Sequence, residues 1–310
     1  MAAEDQDRPG FAIGLYLSAM IVFVTMDGLA KYATAGAGGL EPELLMTLRY
    51  ILVVLLLAPI VVWRWRARPL STSQPVLHIL RGVLLIGAGT IFVFAIRTLP
   101  LETATAISFV SPLLVTIFSV FFLSEKVGIR RWAAVLIGFV GVLAILRPGT
   151  AAFTPAMLLP LLSSCCWAGG LIITRKMRGR ERPFTVLAWT TAVGLLVIAP
   201  FGFGAWQAPT AGQWLILALI AGCHIAGQLL TIRAFMLANA SLLAPFSYTT
   251  ILWAALVGFF AFGTLPDLPT GLGAAVLAAA GLYVWRRERT RHVAPTTPGA
   301  SILVVEERRE

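Results

Sequence analysis

The feature that most constrains this chain is a series of ten apolar segments, each about as long as a membrane-crossing helix. Of its 310 residues, 58% are hydrophobic and only 12% are charged, whereas a soluble domain carries about 25% charged residues. A helix needs about 20 apolar residues to cross a bilayer. The expected fold class is therefore an all-α integral membrane protein with ten transmembrane helices, at residues 12–34, 42–63, 79–98, 102–123, 131–147, 155–175, 184–204, 213–235, 241–263 and 268–285.

The distribution of Lys and Arg predicts how these spans are oriented. With the N-terminus in the cytoplasm, 20 of the 24 Lys and Arg residues fall on the cytoplasmic side, which is the bias that membrane insertion favours. Lys31, Arg97 and Arg147 fall on the outer side, and Arg49 lies within the second span. Both termini are therefore expected to be cytoplasmic, in a bacterial inner membrane. The net charge of +10 is read as this bias together with attraction to anionic membrane lipid, and not as a nucleic-acid site.

The second five spans read as a faint copy of the first five. Pro42 and Pro59 bracket the second span, and Pro183 and Pro200 bracket the seventh at the same separation of 17 residues. Because a five-span unit crosses the membrane an odd number of times, its copy must be inverted, an arrangement common among secondary transporters. The predicted organisation is a cytoplasmic tail at 1–10, five-helix repeats at 11–147 and 154–286, and a disordered cytoplasmic tail at 287–310.

Four stretches of sequence carry a resemblance to a known family. They are FVTMDGLAKY at 23–32, LRY at 48–50, the long run from 104 to 143 and the run from 238 to 266. In these the chain resembles the drug/metabolite transporter superfamily, as a protein with two EamA-type domains. The resemblance implies ten helices, cytoplasmic termini and movement of substrate between the two halves. One departure stands out: the fourth helix of such a domain usually ends in Glu, here Glu125, but the second copy has Thr264.

Three charged residues in the first two spans are the leading site candidates. A charge in mid-bilayer costs about 2.5–3.5 kcal/mol and persists where it is paired or faces a cavity. Asp27 and Arg49 are expected at equal depth on adjacent helices, and Lys31 lies one helical turn from Asp27. Two interpretations stay open: an ion pair that locks two helices together while Lys31 reaches outward, or a pathway surface that binds a charged substrate group or exchanges a proton.

Other polar and aromatic residues are weaker candidates, each with a packing alternative. His224 and Gln228 lie one turn apart in the eighth span, where an imidazole could couple protons. Trp167 and Trp253 lie well inside their spans and could stack on a planar substrate.

Two prolines point to interrupted helices. Tyr248 lies in a polar run that opens the ninth span, and Pro112 and Pro245 are candidates for helix interruption. Transporter sites often form where helices are interrupted, although a mid-helix proline can also simply bend its helix.

Together these patterns favour a secondary active transporter that works by alternating access. The resemblance implies a small organic metabolite as cargo, because it covers exporters of amino acids and drugs and importers of S-adenosylmethionine or riboflavin. No motif of a nucleotide-binding loop, a hydrolase or a metal enzyme is present in the sequence, so no enzymatic activity, cofactor or metal is expected. Protons are the candidate coupling ion, and a homodimer is left open. The alternatives are an intramembrane lipid-modifying enzyme and a non-transporting membrane subunit.

Overall fold

The chain is built from helices throughout the part that the structure describes. The computed structural model describes residues 9–35, 39–64, 72–124, 128–177, 183–237 and 243–291. The first group of helices is α1 (Pro9–Thr34), α2 (Pro42–Arg64), α3 (Pro75–Thr98), α4 (Leu101–Ser108), α5 (Ser111–Leu123) and α6 (Ile129–Leu146). The second is α7 (Leu158–Lys176), α8 (Pro183–Gly204), α9 (Ala211–Leu237), α10 (Thr250–Phe262) and α11 (Leu268–Arg291), with 3₁₀ segments at Pro155–Met157 and Ala244–Thr249. We call α1–α6 the first half and α7–α11 the second half.

Five stretches of helix are long and apolar enough to cross a membrane, judged by length and composition over the described residues. They are Gly10–Thr34, Pro75–Thr98, Leu101–Leu123, Pro155–Thr174 and Ala211–Thr231. Four shorter apolar stretches accompany them, at Trp132–Leu146, Ala188–Gly204, Phe246–Phe262 and Leu268–Tyr283. The all-helical character that the sequence predicts is thus confirmed over the described residues, and five of the predicted spans have the length and composition to cross a membrane.

Two of the predicted spans are not continuous α-helices. The span predicted at 102–123 is divided into α4 and α5 by a turn at Phe109 and Val110, and α10 is preceded by the Ala244–Thr249 3₁₀ segment, which contains Pro245. Pro112 is the second residue of α5, and its nitrogen cannot donate to the Ser108 carbonyl four residues back. That carbonyl instead accepts a hydrogen bond of 3.3 Å from the Ser164 hydroxyl. A neighbouring helix therefore satisfies the group that the proline leaves open.

Most of the extensive helix contacts join the first half to the second. α1 packs against α9, α3 against α7, and α6 against α11. α2 and α3 both pack against α8, and smaller contacts join α5 to α7, α1 to α10 and α2 to α9. The core therefore lies between the halves. This arrangement is expected if neither half folds independently of the other.

The contact of α6 with α11 depends on paired glycines. A Cβ atom added to Gly141 would lie 2.8 Å from the Gly273 carbonyl oxygen, and one added to Gly273 would lie 2.6 Å from the Gly141 carbonyl oxygen. The two backbones approach so closely that neither position has room for a side chain. Small residues at such contacts are typical of helix packing in membranes, where water provides little driving force.

Some predicted features lie outside the described residues. They include residues 1–8 of the predicted N-terminal tail, residues 292–310 of the predicted C-terminal tail, and Glu125. α11 itself continues to Arg291, beyond the predicted start of the tail at 287.

Candidate functional site

Three charged or titratable side chains from three helices converge in the middle of the bundle. Asp27 lies on α1, Arg49 on α2 and His224 on α9. The Arg49 guanidinium acts electrostatically on both the Asp27 carboxylate and the His224 imidazole. We call these residues the central cluster; it draws Asp27 and Arg49 from the first half and His224 from the second.

Arg49 is buried, with only 7% of its surface exposed. Its guanidinium carbon lies 5.3 Å from the centre of the Tyr50 ring. A Cβ atom added to Gly89 of α3 would lie 3.7 Å from Arg49 Nη2, an ordinary van der Waals distance, so α3 packs directly beside the guanidinium. Nε of Arg49 is buried and has no hydrogen-bond partner. A buried cationic donor without a partner is costly, and it marks a place where a ligand oxygen would be bound strongly.

Asp27 and His224 lie at similar depth on antiparallel neighbours. The Phe23 ring, one turn before Asp27, lies against Gly227 of α9, where an added Cβ would be 2.6 Å from Phe23 Cε1. His224 is about one turn from Gly227 on the same helix. Both Asp27 and His224 keep intermediate solvent accessibility although protein surrounds them. That combination is typical of side chains that line an internal cavity.

Asp27 and Arg49 interact over a distance rather than in direct contact. The described residues form ion pairs within 4.0 Å elsewhere, between Arg97 and Glu41 and between Arg147 and Asp267. An ion pair that fixes two helices together requires direct contact between the carboxylate and the guanidinium. Among the described residues no such contact joins Asp27 and Arg49.

The remaining candidates lie around this cluster at different positions. Gln228 is one turn from His224 and partly exposed. Trp253 packs between the two apolar core clusters of the protein, and its buried Nε1 has no hydrogen-bond partner. Tyr248 stacks on Phe109, with ring centres 5.2 Å apart, at the turn between α4 and α5. Trp167 is 47% exposed on α7, whose main neighbours are α3 and α5.

Lys31 is held at the end of α3. Its ammonium donates to the carbonyl oxygens of Ile96, at 2.7 Å, and Leu99, at 2.5 Å. The last carbonyls of a helix have no partner within the helix, and a cation there also interacts favourably with the helix dipole. The structure therefore gives Lys31 a capping contact with α3, away from the Asp27 carboxylate one turn below it.

Two polar residues that the sequence did not single out as site candidates are placed at contacts between the halves. Glu102, at the start of α4, is 1% exposed and accepts a hydrogen bond from Thr264 of the second half. Arg81, near the start of α3, donates from Nε to the Thr174 hydroxyl at 2.7 Å and from Nη1 to the Thr190 hydroxyl. Both lie at the ends of predicted spans, where a charge is common, so no pattern in the sequence indicates that they reach across to the other half.

The described residues contain no group of three or more His, Cys, Asp or Glu side chains arranged to hold a metal ion. What the central cluster offers is a carboxyl group, a guanidinium and an imidazole, with Asp27 and His224 partly accessible to solvent. Such a set can bind the ammonium and carboxylate groups of a small molecule.

The sequence matches a family model and several proteins of known activity. The model described as the EamA-like transporter family matches residues 10–147 and 154–286. The chain is 30% identical to an S-adenosylmethionine uptake transporter of Rickettsia bellii, over 89% of this chain and 94% of that protein. It is 30% identical to a riboflavin transporter of Vibrio cholerae, over 89% and 93% of the two chains. A pseudopaline exporter of Pseudomonas aeruginosa is 25% identical, over 89% and 96%.

A solved crystal structure shares the fold. It superposes with a TM-score of 0.58 at 20% sequence identity, and the match covers 90% of this chain and 99% of the other. Because the relatives are named as transporters, neither the lipid-modifying enzyme nor the non-transporting subunit is favoured. These matches confirm the resemblance seen in the sequence, and the chain is a multi-pass membrane transporter that belongs to the EamA-like transporter family.

Proposed function

We propose that this protein carries a small zwitterionic metabolite across a bacterial inner membrane by alternating access. The carrying observation is the central cluster, in which both halves contribute side chains around a buried, incompletely bonded guanidinium. Binding sites of secondary transporters lie near the bilayer midplane at the interface of two repeats. The contribution of side chains from both halves to the central cluster supports such a site here.

The pattern of helix contacts supports two inverted five-helix repeats. In such a repeat α1 corresponds to α7, α2 to α8, α3 to α9 and α6 to α11, while α4 and α5 together correspond to the 3₁₀ segment and α10. The contact of α1 with α9 then becomes that of α7 with α3, and the contact of α5 with α7 becomes that of α10 with α1. Both members of each pair are present. We therefore assign residues 11–147 and 154–286 to two repeats of a ten-span bundle, with both termini in the cytoplasm as the charge bias predicts.

Alternating access requires contacts between the halves that can open at one end at a time. At the end holding Lys31 and Arg97, which we call the predicted outer end, Gln207 Nε2 donates to the Gly39 carbonyl at 3.0 Å. At the opposite end, Arg81 donates to Thr174 and Thr190. Hydrogen bonds of this kind contribute about 0.5–1.5 kcal/mol each. Contacts of that size can exchange with water without preventing the motion.

The central cluster favours a substrate that carries both charges. Arg49 can bind a carboxylate, Asp27 an ammonium group, and the nearby rings of Phe23 and Trp253 a planar base. S-adenosylmethionine has all three features, and relatives that are 30% identical are named for its uptake. Riboflavin, for which other relatives are named, lacks the amino-acid group. We therefore infer that S-adenosylmethionine or a similar amino-acid derivative is the substrate.

The test is uptake into proteoliposomes that contain the purified protein. Labelled S-adenosylmethionine is expected to enter, and unlabelled S-adenosylmethionine and methionine to compete with it. Adenosine, which keeps the base without the zwitterion, is expected to compete poorly. Efficient uptake of riboflavin with no uptake of S-adenosylmethionine would contradict the assignment. Loading the label inside the vesicles tests the reverse direction with the same material.

A further inference from the structure

In the part of the bundle nearer the predicted outer end, α10 packs closely against α1 and α4. A Cβ atom added to Gly28 of α1 would lie 2.8 Å from Cγ1 of Val257 on α10. One added to Gly258, the next residue of α10, would lie 2.5 Å from Oε2 of Glu102 on α4. One glycine from each half therefore allows the two halves to meet here. We call this the outer contact, formed by Gly28, Glu102, Val257, Gly258 and Thr264.

Glu102 gives the outer contact both a stabilising and a destabilising interaction. The side chain lies in the first turn of α4 with 1% of its surface exposed. Oε2 accepts a hydrogen bond of 3.3 Å from the Thr264 hydroxyl, just after α10. Oε1 is also buried and has no hydrogen-bond partner. Because a buried carboxylate with an unbonded oxygen is costly, the stabilisation from the hydrogen bond is partly offset while the contact is closed.

The nearby charge of Lys31 distinguishes only weakly between a closed and an open outer contact. Lys31 of α1 attracts the Glu102 carboxylate electrostatically. Its ammonium donates to the carbonyl oxygens of Ile96 and Leu99 at the end of α3. Since α1, α3 and α4 all belong to the first half, these interactions remain when α10 moves away. Toward the second half, the ammonium lies 5.4 Å from the centre of the Phe262 ring, and such a cation–π contact is weak.

We propose that the outer contact is the gate at the predicted outer end, and that the charge of Glu102 is what allows this gate to reopen. This inference rests on the proposed alternating-access function. The close approach at Gly258 and the hydrogen bond from Thr264 hold the gate closed. When α10 moves away, water completes the bonding of both carboxylate oxygens, so the charge favours the open state. The balance of these two effects keeps both states accessible.

The residue at position 264 fits this role because it is uncharged. The internal repeat places Thr264 opposite Glu125 at the end of the fourth span, where EamA-type domains usually have Glu. A carboxylate at 264 would approach the Glu102 carboxylate in the closed state, and two like charges at that distance repel each other. A hydroxyl instead donates a hydrogen bond. Threonine therefore allows the gate to close.

Two cysteine reporters measure the state of the two ends. Val257→Cys places a thiol in the outer contact. Val193→Cys places one at the opposite end, where a Cβ atom added to Gly82 of α3 would lie 2.6 Å from Val193 Cβ on α8. The three native cysteines are first replaced by serine, so that each protein carries one thiol. A membrane-impermeant maleimide is added to the outer side of intact cells and, separately, to the cytoplasmic side in inverted vesicles.

Changes at Thr264 and Glu102 are expected to have opposite effects. Thr264→Val removes the donor and keeps the shape, so labelling of Val257→Cys should rise by about three- to tenfold, the range for loss of one hydrogen bond. Glu102→Gln keeps an oxygen that accepts from Thr264 and removes the buried charge, so the same labelling should fall by about tenfold. Labelling of Val193→Cys should change in the opposite direction in each variant, because alternating access couples the two ends. Glu41→Gln, at an exposed acid of the same end, is the matched control and should alter neither reporter.

Each outcome of this experiment bears on a stated claim. Higher or unchanged labelling of Val257→Cys in Glu102→Gln would overturn the proposal, since a carboxylate that simply holds the halves together predicts loosening. Higher labelling at both ends in Thr264→Val would also overturn it, because the whole protein would then be loosened. If one of the two variants does not fold, the other decides. Unchanged labelling in either variant, with normal uptake by the wild type, would contradict the gate and leave the transport function intact. Absence of uptake by the wild type would overturn the transport function and this inference with it.

Discussion

Two arginines in this protein lie near acidic residues, but only one of them forms a direct ion pair. Arg97, at the end of α3, meets Glu41 in a direct pair, with its two terminal nitrogens 2.5 and 3.1 Å from the two carboxylate oxygens. Both side chains are substantially exposed, at 31% and 43%. Arg49, in mid-bundle, is buried near Asp27 without such contact, and its Nε has no partner.

Whether an arginine is already satisfied within the protein indicates whether it can bind a ligand. An exposed bidentate pair satisfies both of its members and contributes about 0–1 kcal/mol, so nothing remains for a ligand to complete. A buried guanidinium that leaves a donor open costs stability, and a protein retains such a group where binding repays the cost. The following predictions test whether the two arginines differ in this way.

The largest effect is expected from Arg49→Gln. A charge-assisted hydrogen bond to a substrate carboxylate is worth about 1.5–3 kcal/mol, so substrate affinity should fall by about 10- to 150-fold. Arg97→Gln makes the same chemical change at the exposed pair and should leave the uptake KM unchanged. Concentration-dependent uptake at matched protein content is the measurement. Equal losses in the two variants would remove the distinction between the two arginines.

A somewhat smaller effect is expected from Asp27→Asn, because the amide keeps the size of the side chain and loses its charge. If Asp27 and Arg49 bind one substrate together, the double variant that combines Asp27→Asn with Arg49→Gln should lose less substrate affinity than the product of the two single losses. Coupling energies between residues of one network are about 0.5–3 kcal/mol. A strictly multiplicative double variant would mean that the two side chains act separately.

A third arginine extends the comparison, because Arg81 donates to hydroxyls and meets no acid among the described residues. Arg81→Gln breaks the hydrogen bonds to Thr174 and Thr190 and should release the contact between the halves at that end. We expect the population with that end open to rise by about three- to tenfold, as expected for loss of about 1 kcal/mol. Labelling of a single cysteine placed beside this contact, at a position other than the two threonines that accept from Arg81, would report the opening, with KM little changed. Unaltered labelling would show that the Arg81 contact does not restrain the halves.

The smallest effect is expected at the exposed pair itself. The hydrogen bond from Arg97 holds the pKa of the Glu41 carboxyl below its ordinary value, which is about 4.3. The pair therefore stabilises the fold above that pH, and its contribution disappears as the pH falls through the lowered pKa. Thermal unfolding should show wild type more stable than Glu41→Gln by at most about 1 kcal/mol at pH 6, and this difference should shrink as the pH falls through the lowered pKa. A difference that grows on acidification would contradict the assignment.

Much of the fold follows from the sequence because its causes are local. Apolar length predicts the spans, and the helices begin and end within a few residues of the predicted bounds. The turn at Phe109 and Val110 also has a local cause in Pro112, but the hydroxyl that satisfies the freed carbonyl comes from Ser164 in the other half. Such compensation depends on packing between distant segments, which one sequence does not encode in a visible pattern.

The candidate site is likewise predictable from the sequence only in part. Asp27 and Arg49 are conspicuous because charges are rare in apolar spans, and the sequence therefore marks them as residues that need an explanation. Their lack of direct contact, and the capping of α3 by Lys31, depend on helix rotation and on where α3 ends. Glu102 escaped notice because it begins a span, and only the approach of Gly258 reveals that it is buried in a contact between the halves.

We propose above that side chains from both halves bind one substrate. Ligand-induced stabilisation of the purified protein is a direct measure of that binding. S-adenosylmethionine at 100 times its Kd should raise the unfolding free energy of the wild type by about 2.7 kcal/mol. Arg49→Gln in the first half and His224→Gln in the second should each reduce this shift, whereas Arg97→Gln should keep it. A shift that survives in both central variants, or that neither S-adenosylmethionine nor any other amino-acid derivative produces, would contradict the account.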